Sequence, residues 1–308
     1  MIRSSNYRDL AIFTIVQDEP EYIHPWINHY KMHVADAADI FVLIHAPMRS
    51  DATPMEAAEI PGWQRAEALL KHHHRVMTLP VHHMATFDHQ WLSNTVFQFQ
   101  SFLLQSYDWV LFTEVDEFVL PTPATSSARK SLLDYIRDFG IDAPLAVRAT
   151  GFEVVQQEDE PPIPPDCYNT GGNVGLTAGN MLDARCWWRP SRVYSKTLLS
   201  RIPLRWAAGF HSVEGVGGDI AAGPSSDKLT LVHLHKVDFE LALSRRQRIQ
   251  SRRWSQIDID ERWGWQNRIG TAAELHKFWE LDIDTGRPAE PGQLRRIPSS
   301  IKQALLTD

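Results

Sequence analysis

Three carboxylates, Glu114, Asp116 and Glu117, are crowded into the segment W-V-L-F-T-E-V-D-E-F-V-L that runs from Trp109 to Leu120. Glu114 and Asp116 have one residue between them, which on extended backbone turns both side chains the same way. Paired oxygen ligands of that kind suit a hard divalent cation, Mg²⁺ or Mn²⁺. The apolar run Trp109–Phe112 ahead of them reads as a buried strand, and Phe118 and Val119 close behind it. Acids at the carboxyl end of such a strand would stand where open α/β sheets bind ligands. The plain alternative is a solvated strand end. A second pair, His233 and His235, alternates in the block L-V-H-L-H and so shares one strand face.

Positioning these residues takes a sheet, and strand and helix alternate up to the acidic motif. Ala11–Val16 reads as a buried strand, followed by the polar loop Gln17-Asp18-Glu19-Pro20. Glu21–Val34 carries Ile23, Trp26, Ile27 and Tyr30 at helical spacing, with Pro25 disturbing the first turn. Ile40–Ile44 is a second strand, and Pro54–Lys71 is helical in two pieces around Pro61-Gly62. Arg75–Leu79 is a weaker third strand. Asp88 can cap a helix running to about Ser106, and Trp109–Thr113 is the fourth strand. This order predicts an α/β fold with a mostly parallel sheet and helices on both faces. A helix over Ser131–Phe139 and a strand over Leu145–Thr150 follow. The Pro-rich stretch Glu158–Asp166 and the Gly-rich stretch Thr170–Asn180 read as loops. Short strands are expected at Arg192–Leu199 and Lys228–Leu234. A basic helix then begins near Asp238 and carries Arg245, Arg246, Arg248, Arg252 and Arg253.

The 308 residues are 43% hydrophobic and 22% charged, an ordinary globular composition. A net charge of -7 argues against a protein that coats nucleic acid. No Gly-x-x-x-x-Gly-Lys loop or Gly-x-Gly-x-x-Gly fingerprint supports a P-loop or dinucleotide site. Cys167 and Cys186 do not make a disulfide framework, so a reducing compartment is expected. No apolar signal region opens the chain and no run approaches the roughly 18–20 apolar residues of a membrane span. The expected location is cytoplasmic.

The stretch T-I-V-Q-D-E-P-E-Y-I-H-P-W-I-N-H-Y resembles the opening of glycosyltransferase family 2-like proteins. The stretch from Phe99 through Pro123, with Glu114-Val115-Asp116-Glu117-Phe118, resembles that family's D-x-D-E-F segment. Lys196, Gly209-Phe210-His211 and Leu231–His235 resemble its later lysine and histidine elements. Gln17 stands where the family often has a basic residue, and Glu114 where it has the first Asp. The resemblance spans roughly residues 10–240. It implies a GT-A-like, Rossmann-like fold with a nucleotide-sugar-binding half (1–150). An irregular acceptor half (151–240) and a helical extension (241–308) would follow.

The resemblance also implies sugar transfer from a nucleoside-diphosphate donor with Mn²⁺ or Mg²⁺ bridging the diphosphate, leaning towards inversion. On that reading Asp116 ligates the metal, and Glu114 meets the ribose or a metal-bound water. His233, His235 and His211 are candidates to complete the metal shell. Asp18 and Glu19 would meet base or ribose, and Lys196, or Arg192, the diphosphate. An inverting transfer needs a carboxylate base; Glu153, Asp183 and Glu214 lie in the acceptor half, and Glu214, near His211, is the choice. The clusters His72–His74 and His82-His83 read as solvated. The Arg245–Arg253 helix could dock on a phosphate-rich acceptor or peripherally on the inner face of a membrane, though such faces are commonly just solvated. The acceptor expected is a glycan or a lipid-linked glycan. The competing functions are a nucleotide-sugar hydrolase, in which water replaces the acceptor, and a catalytically inactive carbohydrate-binding protein of the same fold.

Overall fold

The computed structural model describes residues 7–47, 62–83, 87–122, 130–164, 177–214, 225–250 and 254–306. Its first half is the expected alternation. Strand β1 (Arg8–Val16) leads into helix α1 (Pro20–Lys31), then β2 (Ile40–Pro47), helix α2 (Gly62–Leu70), β3 (Met77–His83), helix α3 (His89–Leu103) and β4 (Tyr107–Phe112). These four strands are parallel, with β1 between β2 and β4 and β3 outside β2. Alternate residues of β1 supply opposite faces. Leu10 and Ile12 pack with Tyr22, Trp26 and Ile27 of α1, while Ala11 and Phe13 pack with Leu92 and Val96 of α3. A strand covered on both faces reads as a continuous apolar run, which is why β1, β2 and β4 were visible as such.

Local signals hold the helices. Pro20 sits at the first position of α1, where its missing N–H costs nothing. Pro25 lies inside α1, and the helix continues past it to Lys31. The Asp88 carboxylate accepts from Trp91 N–H and caps α3 as expected. Ser131 caps α4 (Leu132–Arg137) in a reciprocal capping box with Asp134.

The second half joins the same sheet largely with antiparallel strands. Besides β5 (Glu117–Pro121), these are β6 (Ala146–Val155), β7 (Trp187–Ser191) and β8 (Thr197–Ser200). The order runs from the two-residue strand Arg295–Arg296 through β7, β6, β8, β4, β1 and β2 to β3. A two-stranded ribbon, β9 (Arg205–Trp206) with β10 (Val213–Glu214), stands apart from it. Strand β11 (Ser225–Lys236) lies antiparallel to β5 and parallel to β6, with His233 opposite both Glu117 and Glu153. The sheet is therefore mixed, with its parallel block at the β3 end.

Several expectations shift. The Trp109–Leu120 segment is two strands, because residues 113–116 make a turn closed by Glu117 N–H to Glu114 C=O at 3.0 Å. The end of the Gly-rich stretch is helical: Thr177 caps a short helix, Ala178–Leu182, in a box with Asn180. The weak third strand extends to His83. Pro54–Pro61, Cys167, Arg252 and Arg253 lie outside the described residues, as do the side chains of His82, His83 and Glu214. Cys186 is free and exposed. No described helix is long and apolar enough to cross a membrane.

Candidate active site

The turn after β4 places its carboxylates apart rather than side by side. Asp116 is buried, and its Oδ2 lies 3.8 Å from His233 Nε2 and 3.8 Å from His235 Nδ1. Strand β11 delivers both rings, stacked at 5.5 Å with planes 7° apart, as the period-2 alternation expects. The register is pinned by Leu234 N–H to Asp116 C=O at 3.0 Å. Tyr194 also stacks on His233, with ring centroids 3.8 Å apart.

Glu114 turns elsewhere, towards Lys196. The buried Lys196 Nζ lies 2.6 Å from Glu114 Oε2 and 2.6 Å from Glu117 Oε1. Thus Glu117 belongs to the lysine's ion pair, and Glu114 and Asp116 do not converge. The extended backbone assumed for a shared cation does not exist at this turn.

Electrostatics sort the groups. Burial works against ionising Asp116, but the Arg245 guanidinium at 2.5 Å, with His233 and His235, holds its carboxyl well below the usual carboxylate range. Burial pushes His233 and His235 each down to about 3, so both rings are neutral at pH 7 and keep a lone pair. Burial pushes Glu117 up to about 7, with Lys196 opposing and Glu114 adding to the shift. Lys196, despite burial, is raised by Glu114 and Glu117 and stays charged.

Asp116, His233 and His235 each present a ligand atom, all within 4.8 Å of one another. One carboxylate and two neutral imidazoles are a donor set for a divalent transition metal such as Mn²⁺ or Zn²⁺. The buried Nδ1 of His233 has no hydrogen-bond partner, so that ring is not committed elsewhere. The residues fit such an ion. Among the described residues this is the one group of its kind, and neither Glu114 nor His211 belongs to it. His211 stands one step away, its ring 5.8 Å from Tyr194, after a turn in which Gly209 and Phe210 both take left-handed backbone (φ 81° and 60°).

A partly open cleft of about 100 Å³ is lined by Val115 and Arg245, the immediate neighbours of this group, and not by Asp116, His233 or His235 themselves. Its walls include Val16 at the end of β1, Glu19 beyond it, His45 of β2, Glu114, and Phe210. It therefore opens at the carboxyl ends of the parallel strands, the place such sheets bind ligands. Asp18 is held by Arg65 at 2.8 Å, and Glu19 accepts the N–H groups of Gln17 and Asp18 at 2.9 Å each.

Sequence reasoning missed the arginines. The helix Phe239–Gln250 turns Arg245, Arg246 and Arg248 inward: Arg245 onto Asp116, Arg246 onto His235 Nε2, and Arg248 onto Glu21 at 2.7 Å. This corrects the reading of these three as a solvated or membrane-docking face. It also missed His89, a cleft residue whose Nδ1–H donates to the buried Asp258 at 3.0 Å. Glu153 is corrected as a base candidate: it is fully buried and clamped by Arg189 at 2.9 Å, out of reach of an acceptor. Asp183 is exposed at the end of its helix. Glu214 pairs with Arg205 through its backbone. His73 is buried rather than solvated, with its Nε2 2.5 Å from His24 Nδ1.

No family model matches the chain, and no curated protein does. Solved structures do, at low similarity. A mannosyltransferase from Pyrobaculum calidifontis, in complex with GDP-Man and Mn²⁺, is 12% identical with a TM-score of 0.30, over 48% of this chain and 36% of that one. S. aureus TarS is 10% identical with a TM-score of 0.33, over 82% and 42%. The bifunctional glycosyltransferase WbbM is 16% identical with a TM-score of 0.25, over 48% and 24%. The chain thus spans less than half the length of each of these three proteins.

Proposed function

We propose that the chain is a glycosyltransferase that takes a sugar from a nucleoside-diphosphate donor and passes it, with inversion, to a hydroxyl of a glycan or lipid-linked acceptor. One observation carries this reading. A buried carboxylate and two neutral imidazoles, with a charged lysine close by, adjoin a cleft at the carboxyl ends of parallel strands. A departing nucleoside diphosphate concentrates negative charge, and a divalent ion there supplies the charge that stabilises it. Asp116, His233 and His235 would hold that ion. Glu19 faces the cleft where base or ribose would lie, with Asp18 behind it on Arg65. Lys196 keeps Glu114 and Glu117 in place beside the diphosphate. Glu214 remains our choice of base.

The test is calorimetric titration of the native protein and Asp116→Asn with UDP, GDP and CDP, each with and without Mn²⁺. Metal-dependent binding of one nucleotide, lost in the variant, is the expected result. No binding under any condition would overturn the reading. Incubating the matching donor without acceptor then separates transfer from hydrolysis, since a hydrolase would release free sugar at full rate.

A further inference from the structure

Arg245 sits on the carboxylate that a divalent cation would need. Its Nη1 lies 2.5 Å from Asp116 Oδ2, the same oxygen that faces His233 Nε2 and His235 Nδ1 at 3.8 Å. A guanidinium has five donors and no lone pair, so it cannot share that oxygen as a fellow ligand of a metal. While it stays on Oδ2 it takes up acceptor capacity and adds positive charge where an ion would bind, so it disfavours the ion there.

The next residue blocks a second ligand atom. Arg246 Nη2 donates to His235 Nε2 at 2.5 Å. A neutral imidazole carries one N–H, and with Nε2 accepting, that proton sits on Nδ1, the atom turned towards Asp116. His235 therefore offers an N–H here and not a lone pair. Two consecutive arginines thus hydrogen-bond to two of the three candidate ligand residues, Arg245 to Asp116 and Arg246 to His235.

Arg245 is also incompletely satisfied. Its Nε is buried without a hydrogen-bond partner, its guanidinium lies 5.3 Å over the Tyr22 ring, and the residue lines the cleft. A planar fork with spare donors beside a cleft is suited to a phosphate pair, which it can grip bidentately.

Resting on the donor reading above, we propose that Arg245 is an internal cation that holds the metal position closed and exchanges it for the divalent ion when a diphosphate enters. Asp116 and His233 would hold the ion while the guanidinium grips the phosphates in the cleft, and His235 would join them only where its proton passes from Nδ1 to Nε2 and Arg246 releases that nitrogen. Metal affinity in the absence of nucleotide is thereby suppressed.

The test is Mn²⁺ binding, followed by the electron paramagnetic resonance of free Mn²⁺, for native protein, Arg245→Gln and Arg245→Met, with and without UDP, GDP or CDP. Native protein is expected to bind Mn²⁺ weakly alone. At least one folded variant is expected to bind it about ten-fold more tightly alone, within the usual range of coupling between sites. Tight binding by native protein alone, or folded variants that bind no more tightly than native, would overturn the exchange while leaving the metal site standing. If nucleotide binds but Mn²⁺ never does, the exchange is overturned and the donor reading survives. Should neither variant fold, a crystal structure of native protein with Mn²⁺ and the binding nucleotide decides: the guanidinium must be off Asp116 and on phosphate, and its persistence on Asp116 sinks the idea.

Discussion

Lys196 is the shared counter-ion of Glu114 and Glu117: one buried ammonium stands 2.6 Å from each carboxylate of the turn that follows β4. The turn also closes on itself, with Glu114 N–H donating to Glu117 Oε2 at 3.1 Å. Removing the lysine leaves a fully buried carboxyl facing another acid. Lys196→Met should therefore cost about 3–5 kcal/mol, the penalty for stranding one partner of a buried pair. Glu117→Gln should cost only about 1 kcal/mol, because the amide oxygen can still accept from Glu114 N–H and Lys196 keeps Glu114. Urea unfolding at pH 7.5 compares the two, and equal losses would contradict the shared arrangement.

Asp116 is buried and tied to Arg245, so its substitution is not a mild loop change. Asp116→Asn leaves the half-buried Arg245 guanidinium without its nearest counter-charge and should lose about 1–3 kcal/mol of stability. The double variant Asp116→Asn/Arg245→Gln removes both charges and should be more stable than Asp116→Asn alone. A double-mutant cycle from denaturant unfolding measures this, and strictly additive losses would show that the pair is not coupled. Neither variant should retain Mn²⁺ binding.

The parallel block was legible because its physics is local. β1, β2 and β4 are covered on both faces and read as apolar runs, and Asp88 announces α3 one residue ahead of it. The pairing of His233 with His235 followed from strand periodicity alone. The fate of Glu114 did not, since it hinges on residues 113–116 turning rather than extending. The arginine helix was opaque for a different reason. Arg245 meets an acid 129 positions away, and a run of arginines looks solvated until the partner is known. The His72–His74 string hid the burial of His73 in the same way, as its partner His24 lies 49 positions back.

That buried pair gives the protein an acid-sensitive element. Burial, with His72 and Lys31 nearby, lowers His24 to about 4; burial, with Lys31, His24 and His72, lowers His73 to about 3. Both rings titrate near 6.5 when unfolded. Below that pH the unfolded chain takes up protons that the folded chain refuses, so stability falls as pH drops from about 6.5 towards 4. Glu117 acts in the opposite sense, since its folded value of about 7 exceeds the unfolded 4.5 and it favours folding as pH falls between them. His24 and His73, joined by His233 and His235, whose folded values are about 3 each, outnumber it. His73→Leu should lose less stability than native protein between pH 7.5 and pH 5, while Glu117→Gln should lose more. Guanidinium unfolding midpoints at the two pH values test both signs, and identical shifts in all three proteins would remove the pair as the source.

Gly151 ties the sheet to the site through its missing side chain. A Cβ there would stand 2.2 Å from the carbonyl carbon of Tyr194 and 2.6 Å from Ser195 N, both backbone atoms that cannot rotate away. The close approach lets Gly151 N–H donate to Ser195 Oγ at 3.0 Å and Ala149 N–H donate to Lys196 C=O at 2.9 Å. Those contacts seat Tyr194 on His233 and Lys196 between Glu114 and Glu117. Gly151→Ala must push the 194–196 segment outward, at a cost of about 1–3 kcal/mol for overpacking a filled space. The displacement should also loosen both halves of the site, so Mn²⁺ and nucleotide binding should weaken in the variant. Gly140→Ala is the control: it carries a stability cost of a different origin, left-handed backbone (φ 58°), and has nothing within 4 Å of the added methyl. It should lose about 1–2 kcal/mol with ligand binding unchanged. Calorimetric titration of both variants decides the matter, and full binding by Gly151→Ala would show that the 194–196 segment does not position the site.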